Sequence, residues 1–277
     1  MWPSLNINNY FFTSPVKPTS TPAKYIYNWK RGPVDTRDFD FEEHMFYNLS
    51  IEPLPSKFSL RESMPPVLDQ KSLGSCTANA TANALHFCLN KEKQVEFAPS
   101  RLYMYYYTRL IEGTVDEDSG AMIRDCMKEL KTYGSCHESL WPYDISKFAA
   151  RPKNKCTQEG KTHLDGFKYL AVRQKEESIK RALVNGYPII FGCEVYSSFE
   201  SDEAMRTGDI PMPDLDRESL LGGHAIILCG FCDETRRFTF ENSWGEKVGD
   251  KGYFTLPYEY VLDPERCSEF YTITFWK

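Results

Sequence analysis

The chain reads as an α+β protein in which a helical lobe precedes a sheet lobe. Two observations predict this. Between residues 74 and 185 apolar positions recur at helical spacing, and beyond residue 186 they gather into short runs of strand length. A chain of 277 residues has room for one large domain or two modest lobes.

The first 53 residues stand apart. Prolines at Pro3, Pro15, Pro18, Pro22, Pro33 and Pro53 interrupt them, and neither a helical nor a strand period is sustained. Disordered tails are usually poor in aromatic rings, yet this segment carries NYFF and YIYNW ahead of the charged DTRDFDFEEH. It is therefore expected to dock, and the nearest surface is that of its own domain, residues 54–277.

Each element follows from local pattern. Cys76, Ala80, Ala84, Leu85, Cys88 and Leu89 mark one face of a helix running to about Asn90. A second helix is predicted from Ser100 to about Ile111, after Pro99, and a third from about Ala121 to Tyr133, stopped at Gly134. A fourth covers about Lys175 to Asn185 and ends at the Asn185-Gly186 turn pair. Strands are predicted at Pro188–Val195, His224–Phe231, Phe238–Asn242 and Gly252–Leu256.

Composition excludes some functions. A net charge of -6 argues against nucleic acid as the main partner, and RPKNK at Arg151–Lys155 reads as a solvated loop. No apolar run approaches membrane-spanning length. MWPSLNINNYFF lacks the basic start and apolar core of a secretory signal. Nine cysteines, an odd count without tight pairing, point to a reducing, intracellular compartment of bacterial or viral type. An already processed extracellular form is the alternative.

Cys76 opens its helix, where unpartnered backbone N–H groups favour a thiolate. A nucleophilic cysteine also needs a base. Of five histidines, His86 falls inside a helix, His163 in a charged connector, His44 in the amino-terminal segment and His137 in a loop. His224 follows Gly222-Gly223 and begins a strand, so its ring is rigidly held. Placing a hairpin turn near residues 233–236 sets His224 at or near direct opposition to Asn242 in ENSWG. An amide oxygen there can fix the imidazole tautomer, with Trp244 covering the bond. Gln70, brought back by the Gly74-Ser75 turn, can join the Cys76 N–H as an oxyanion donor.

These residues resemble the papain/cathepsin family of cysteine peptidases. The resemblance rests on QKSLGSCTA, GGHAIILCGF and NSWGEKVGDKGYF, with LPSKFSLRESMPPVLDQ and LWPYD in support, and covers residue 54 to the end. It implies a two-lobed fold with a cleft between helical and β lobes, Cys76 as nucleophile, His224 as base, Asn242 as orienter and Gln70 as oxyanion donor. It also implies peptide or protein substrates, no cofactor and no metal. Gly120, in Ser119-Gly120, Met122 and Trp244 are its candidate substrate contacts, Met122 beside the side chain preceding the scissile residue.

The chain departs from the family at Leu73, where a disulfide cysteine is common, and at Thr77 and Val248, where tryptophans are common. Residues 1–53 do not show the long helical propeptide common in the family, so their aromatic and proline-rich segment is the candidate for self-inhibition. Two other classes were weighed. Acyl transfer of the transglutaminase kind is disfavoured by Asn242 followed by Trp244, and a non-catalytic relative by the filling of all four catalytic positions. CGFC (Cys229, Cys232) reads as packing, because two further zinc ligands are not evident. The carboxylates of VDEDSG read as a solvated loop without an ordered cation ladder.

Overall fold

The computed structural model describes residues 23–33, 35–45, 53–160, 162 and 164–276. NYFF and His163 lie outside them. In chain order the elements are α1 (Phe41–Met45), β1 (Lys57–Ser59), α2 (Cys76–Cys88), α3 (Arg101–Glu112), α4 (Ile123–Thr132), α5 (Asn154–Glu159), β2 (Phe167–Ala171) and α6 (Glu176–Val184). There follow β3 (Ile189–Tyr196), α7 (Asp202–Thr207), β4 (Leu220–Cys232), β5 (Arg237–Glu241), β6 (Tyr253–Pro257), α8 (Tyr258–Leu262) and β7 (Cys267–Phe275). The fold is α+β and two-lobed, with helices first and an antiparallel sheet second, as predicted.

The four expected helices are α2, α3, α4 and α6. Every residue of α2 is buried, because its alanines let neighbours approach from all sides. At the start of α3 the Ser100 hydroxyl accepts from the Tyr103 N–H, and Gly113 ends the helix at φ 73°.

The sheet runs β2-β7-β3-β4-β5-β6, and β1 pairs with β4. Strands β1, β2 and β7 were not expected. β7 sits between β2 and β3, and its place in the sheet comes from non-local pairing rather than from a local turn signal. The β4–β5 turn does fall at residues 233–236. Register, however, puts Ile227 opposite Glu241 and Leu228 opposite Phe240. Asn242 therefore lies one residue past the ladder, and direct opposition to His224 gives way to a diagonal reach.

Ahead of the domain, residues 23–33 and 35–45 pack against it. Asp35 and Asp38 pair with Arg124, and Asp40, Glu42 and Glu43 with Arg173. No helix among the described residues is long and apolar enough to cross a membrane. All nine cysteines carry free thiols. Of RPKNK, expected as a solvated loop, Arg151, Lys153, Asn154 and Lys155 are exposed, Pro152 is buried, and Asn154 and Lys155 already open α5. Cys229 of CGFC is buried, its thiol facing the Thr239 carbonyl.

Candidate active site

Cys76 is the first residue of α2, and its sulfur is fully buried against the backbone of Ala225, Asn28 and Thr77. Ala225 directly follows His224 on β4. The packing of α2 on β4 thus brings residues 148 positions apart to one point. The His224 Nε2 meets Asn242 Oδ1 at 2.8 Å. Its Nδ1 is buried without a hydrogen-bond partner among the described residues. With Nε2–H donated to the amide oxygen, Nδ1 carries the lone pair. Trp244 lies over the imidazole at 5.2 Å between ring centroids and 18° between planes.

Gln70 is gripped from several sides. Its N–H donates to the Ser243 carbonyl at 2.8 Å, and its Oε1 accepts from the Ser243 hydroxyl at 2.6 Å. Its carbonyl accepts from the Tyr143 hydroxyl at 2.9 Å. That leaves Nε2 aimed at the Leu73 carbonyl, 3.1 Å away, and at the Ile26 carbonyl, 3.2 Å away. Asp118 of VDEDSG is no solvated residue: its carboxylate accepts from the Gly74 N–H at 3.0 Å and from the Tyr105 hydroxyl, fixing the turn before Cys76.

Ile26 belongs to a strap, residues 23–33, that crosses this centre. Tyr25 stacks on Trp244 at 4.0 Å and 5°, and Tyr27 meets His224 edge-on at 5.5 Å. Trp29 N–H donates to the Gly223 carbonyl at 2.8 Å and Lys30 N–H to the Ala121 carbonyl at 3.2 Å. The Glu200 carboxylate accepts from Lys24 N–H, Tyr25 N–H and the Tyr27 hydroxyl. Glu269 accepts from the Trp29 indole N–H at 2.8 Å and the Gly32 N–H at 3.0 Å.

Burial sets the electrostatics. Water is kept off the imidazole, and burial pushes His224 down to about 4, opposed by the Asn242 bond. Burial also raises the Cys76 thiol above its ordinary value, opposed by nearby backbone groups. Both shifts favour the neutral forms of sulfur and ring.

The other expected residues fall as follows. Gly120 has φ +71°, and a Cβ there would strike the Asn28 backbone, so only glycine allows the strap this close. Its N–H is taken by Tyr105, however, and the strap pairs one residue later, at Ala121. Met122 precedes α4, its N–H donated to Glu112 at 2.8 Å. Thr77, at the departure from the family, donates its hydroxyl to the Ala121 carbonyl at 3.1 Å. His44, His86 and His137 are engaged elsewhere, with Trp276, Glu96 and Ser139. Sequence reading missed Ser243, Ala121, Glu200 and Glu269. Ser243 lay inside ENSWG and Ala121 beside Gly120, so a signal existed for both; for the two glutamates there was none.

The family model described as papain family cysteine protease matches residues 54–268. The chain is 40% identical over 239 residues to an uncharacterized peptidase C1-like protein of Acanthamoeba polyphaga mimivirus, covering 82% of this chain and 76% of that one. It is 25% identical over 214 residues to the viral cathepsin of Adoxophyes honmai nucleopolyhedrovirus, covering 73% of this chain and 57% of that one. The crystal structure of xylellain, a cysteine protease from Xylella fastidiosa, is similar with a TM-score of 0.82 and 35% identity, over 94% of this chain and 100% of that one. Digestive procathepsin L 3 of Tenebrio molitor larval midgut shares the fold, with a TM-score of 0.64 and 16% identity over 83% of this chain and 73% of that one.

Proposed function

Because the chain belongs to the papain family of cysteine proteases, we propose that it hydrolyses peptide bonds through a thioester on Cys76, and that residues 23–33 hold it in a latent form. The thiol proton passes to His224 Nδ1 as sulfur attacks the peptide carbonyl. The resulting oxyanion accepts from Gln70 Nε2 and the Cys76 N–H. As the carbon–nitrogen bond breaks, the imidazolium returns its proton to the departing amine. Water, deprotonated by His224, then cleaves the thioester, and the thiol is restored. Asn242 keeps Nδ1 the acceptor throughout, and Trp244 shields that bond from solvent.

One observation supports latency above the rest: the Ile26 carbonyl accepts from Gln70 Nε2, the donor that a substrate's oxyanion would need. The strap also denies the thiol–imidazole pair the water that would stabilise its charged form. Substrate backbone is assigned to Ala121 and Gly223, where the strap now pairs.

A thiol-directed epoxide tests both parts. Cys76 is expected to react slowly in the full chain and rapidly in a chain beginning at Leu54. Equal rates would remove the latency, and no reaction in either would remove Cys76 as nucleophile.

A further inference from the structure

Trp29 fills a slot that this chain builds from unusual parts. Its indole is 6% exposed. One wall is Gly192 of β3, where a Cβ would overlap the six-membered ring, and another is Gly223 of β4, where a Cβ would strike both ring and backbone. Any residue but glycine at either position would shrink the slot below the width of an indole. At its end stands Glu269 of β7, accepting the indole N–H at 2.8 Å and held from behind by the Arg124 N–H at 3.2 Å. The strap's only neighbouring competitor for this carboxylate is its own Gly32 N–H. Ala121, where the strap's backbone pairs, borders the same place.

A flat cavity between two glycine-bearing strands, closed by a carboxylate, selects by shape and by donor. When the strap departs, Glu269 loses two of its three donors among the described residues, and a substrate side chain entering the slot must replace them or leave a desolvated carboxylate short of partners. Phenylalanine fills the width without donating. Leucine does neither. Tryptophan does both.

We infer that Glu269, Gly192 and Gly223 form a specificity pocket for tryptophan in peptide substrates, at the residue preceding the scissile one, and that Trp29 occupies it as an internal imitation of that residue. This rests on the peptidase reading above. The slot receives a side chain whichever way the backbone runs past it, so occupancy by the strap and by a substrate demand the same complementarity.

The test uses the full chain carrying Trp29→Ala, which empties the slot. Peptides vary at the residue before the scissile one among tryptophan, 3-benzothienylalanine and leucine. The benzothiophene has the indole's outline and lacks its N–H. Strap release is common to all three and cancels from their ratios. The tryptophan peptide is expected to exceed its isostere in kcat/KM by about tenfold or more, the scale of one hydrogen bond to a charged acceptor. Adding Glu269→Gln, which places an amide N–H2 against the indole donor, should bring that ratio to near one. Adding Gly192→Val should lower kcat/KM for both bicyclic peptides far more than for the leucine peptide.

A tryptophan-to-isostere ratio near one in Trp29→Ala, or a ratio untouched by Glu269→Gln, would overturn the pocket while leaving the peptidase intact. Absence of turnover with every peptide, together with no epoxide labelling of Cys76, would instead remove the peptidase reading, and the pocket with it.

Discussion

Glu200 and Glu269 each fasten one end of the strap, and the contrast between them separates covering from recognition. Glu200 follows β3 and takes three different donors, every one of them from the strap. Glu269 lies in β7 and shares its carboxylate between the strap and the Arg124 N–H of the domain. The first carboxylate has no partner left among the described residues once the strap lifts. The second remains anchored at the wall of the cleft. One is a fastener for this segment alone; the other belongs to the surface the segment imitates. Between them Ile26 faces Gln70, so the centre is covered by a contact that neither fastener makes.

The largest effect expected concerns that middle point. In a Glu200→Ala chain, adding Gln70→Ala should lower kcat by about 10²–10³-fold with little change in KM, since a donor is lost where charge develops. A change confined to KM would make Gln70 a binding residue.

Next comes the imidazole. His224 sits at about 4 in the folded chain against 6.5 unfolded. The native state thus binds fewer protons in this window, and its stability contribution is full above pH 6.5 and lost as pH falls toward 4, by about 3 kcal/mol. Glu241 runs the other way. Burial raises its carboxyl to about 8, so its contribution is lost as pH rises from 4.5 toward 8. Burial also raises Glu129, Glu112 and Glu269, so the histidine has to be followed at its own ring. Followed by NMR in a Cys76→Ala chain, His224 should titrate near 4. Glu200→Ala, which frees the Tyr25–Tyr27 cover over ring and tryptophan, should move it upward. Substitution of Glu269 should not, because the cover stays in place. Equal movement in both variants would erase the contrast.

Smaller effects follow at the fasteners themselves. Glu200→Ala should raise initial turnover of a short peptide by roughly 10–100-fold, because its charge-assisted bonds to the strap are lost. Glu269→Ala should raise turnover of a leucine peptide only several-fold, since the Trp29 ring still packs between glycines. If the order is reversed, the main fastener is Glu269.

Much of this architecture was legible along the chain. The helices α2, α3, α4 and α6 repeat apolar residues at local spacing. Of these, α3, α4 and α6 stop at glycine or asparagine and so advertise their limits, whereas α2 passes into a π-helical turn over Leu89–Lys93 that ends at Gln94. Strands β3 and β4 do the same through apolar runs. β1, β2 and β7 did not, because their pairing partners lie far away in sequence and no short turn announces them. For the site, Cys76, His224, Asn242 and Gln70 stood out through residue type and order. The register reading erred slightly: the pairs beside the turn, such as Phe231 with Phe238, already carry Asn242 out of opposition to His224, and the irregularity between Leu228 and Gly230 brings it back by only one residue.

Sequence alone determined the chemistry on offer: a thiol at a helix start, a histidine after two glycines, an amide in ENSWG and a glutamine six residues before the thiol. Those depend on local backbone and side-chain type, which a linear string records. Tertiary structure alone decided where the amino-terminal strap lies, which carboxylates grip it, and that Trp29 rests between Gly192, Gly223 and Glu269. These are contacts across 163 to 240 positions. They arise only when the sheet has closed, and hydrogen bonds between such distant groups leave no periodic trace in sequence.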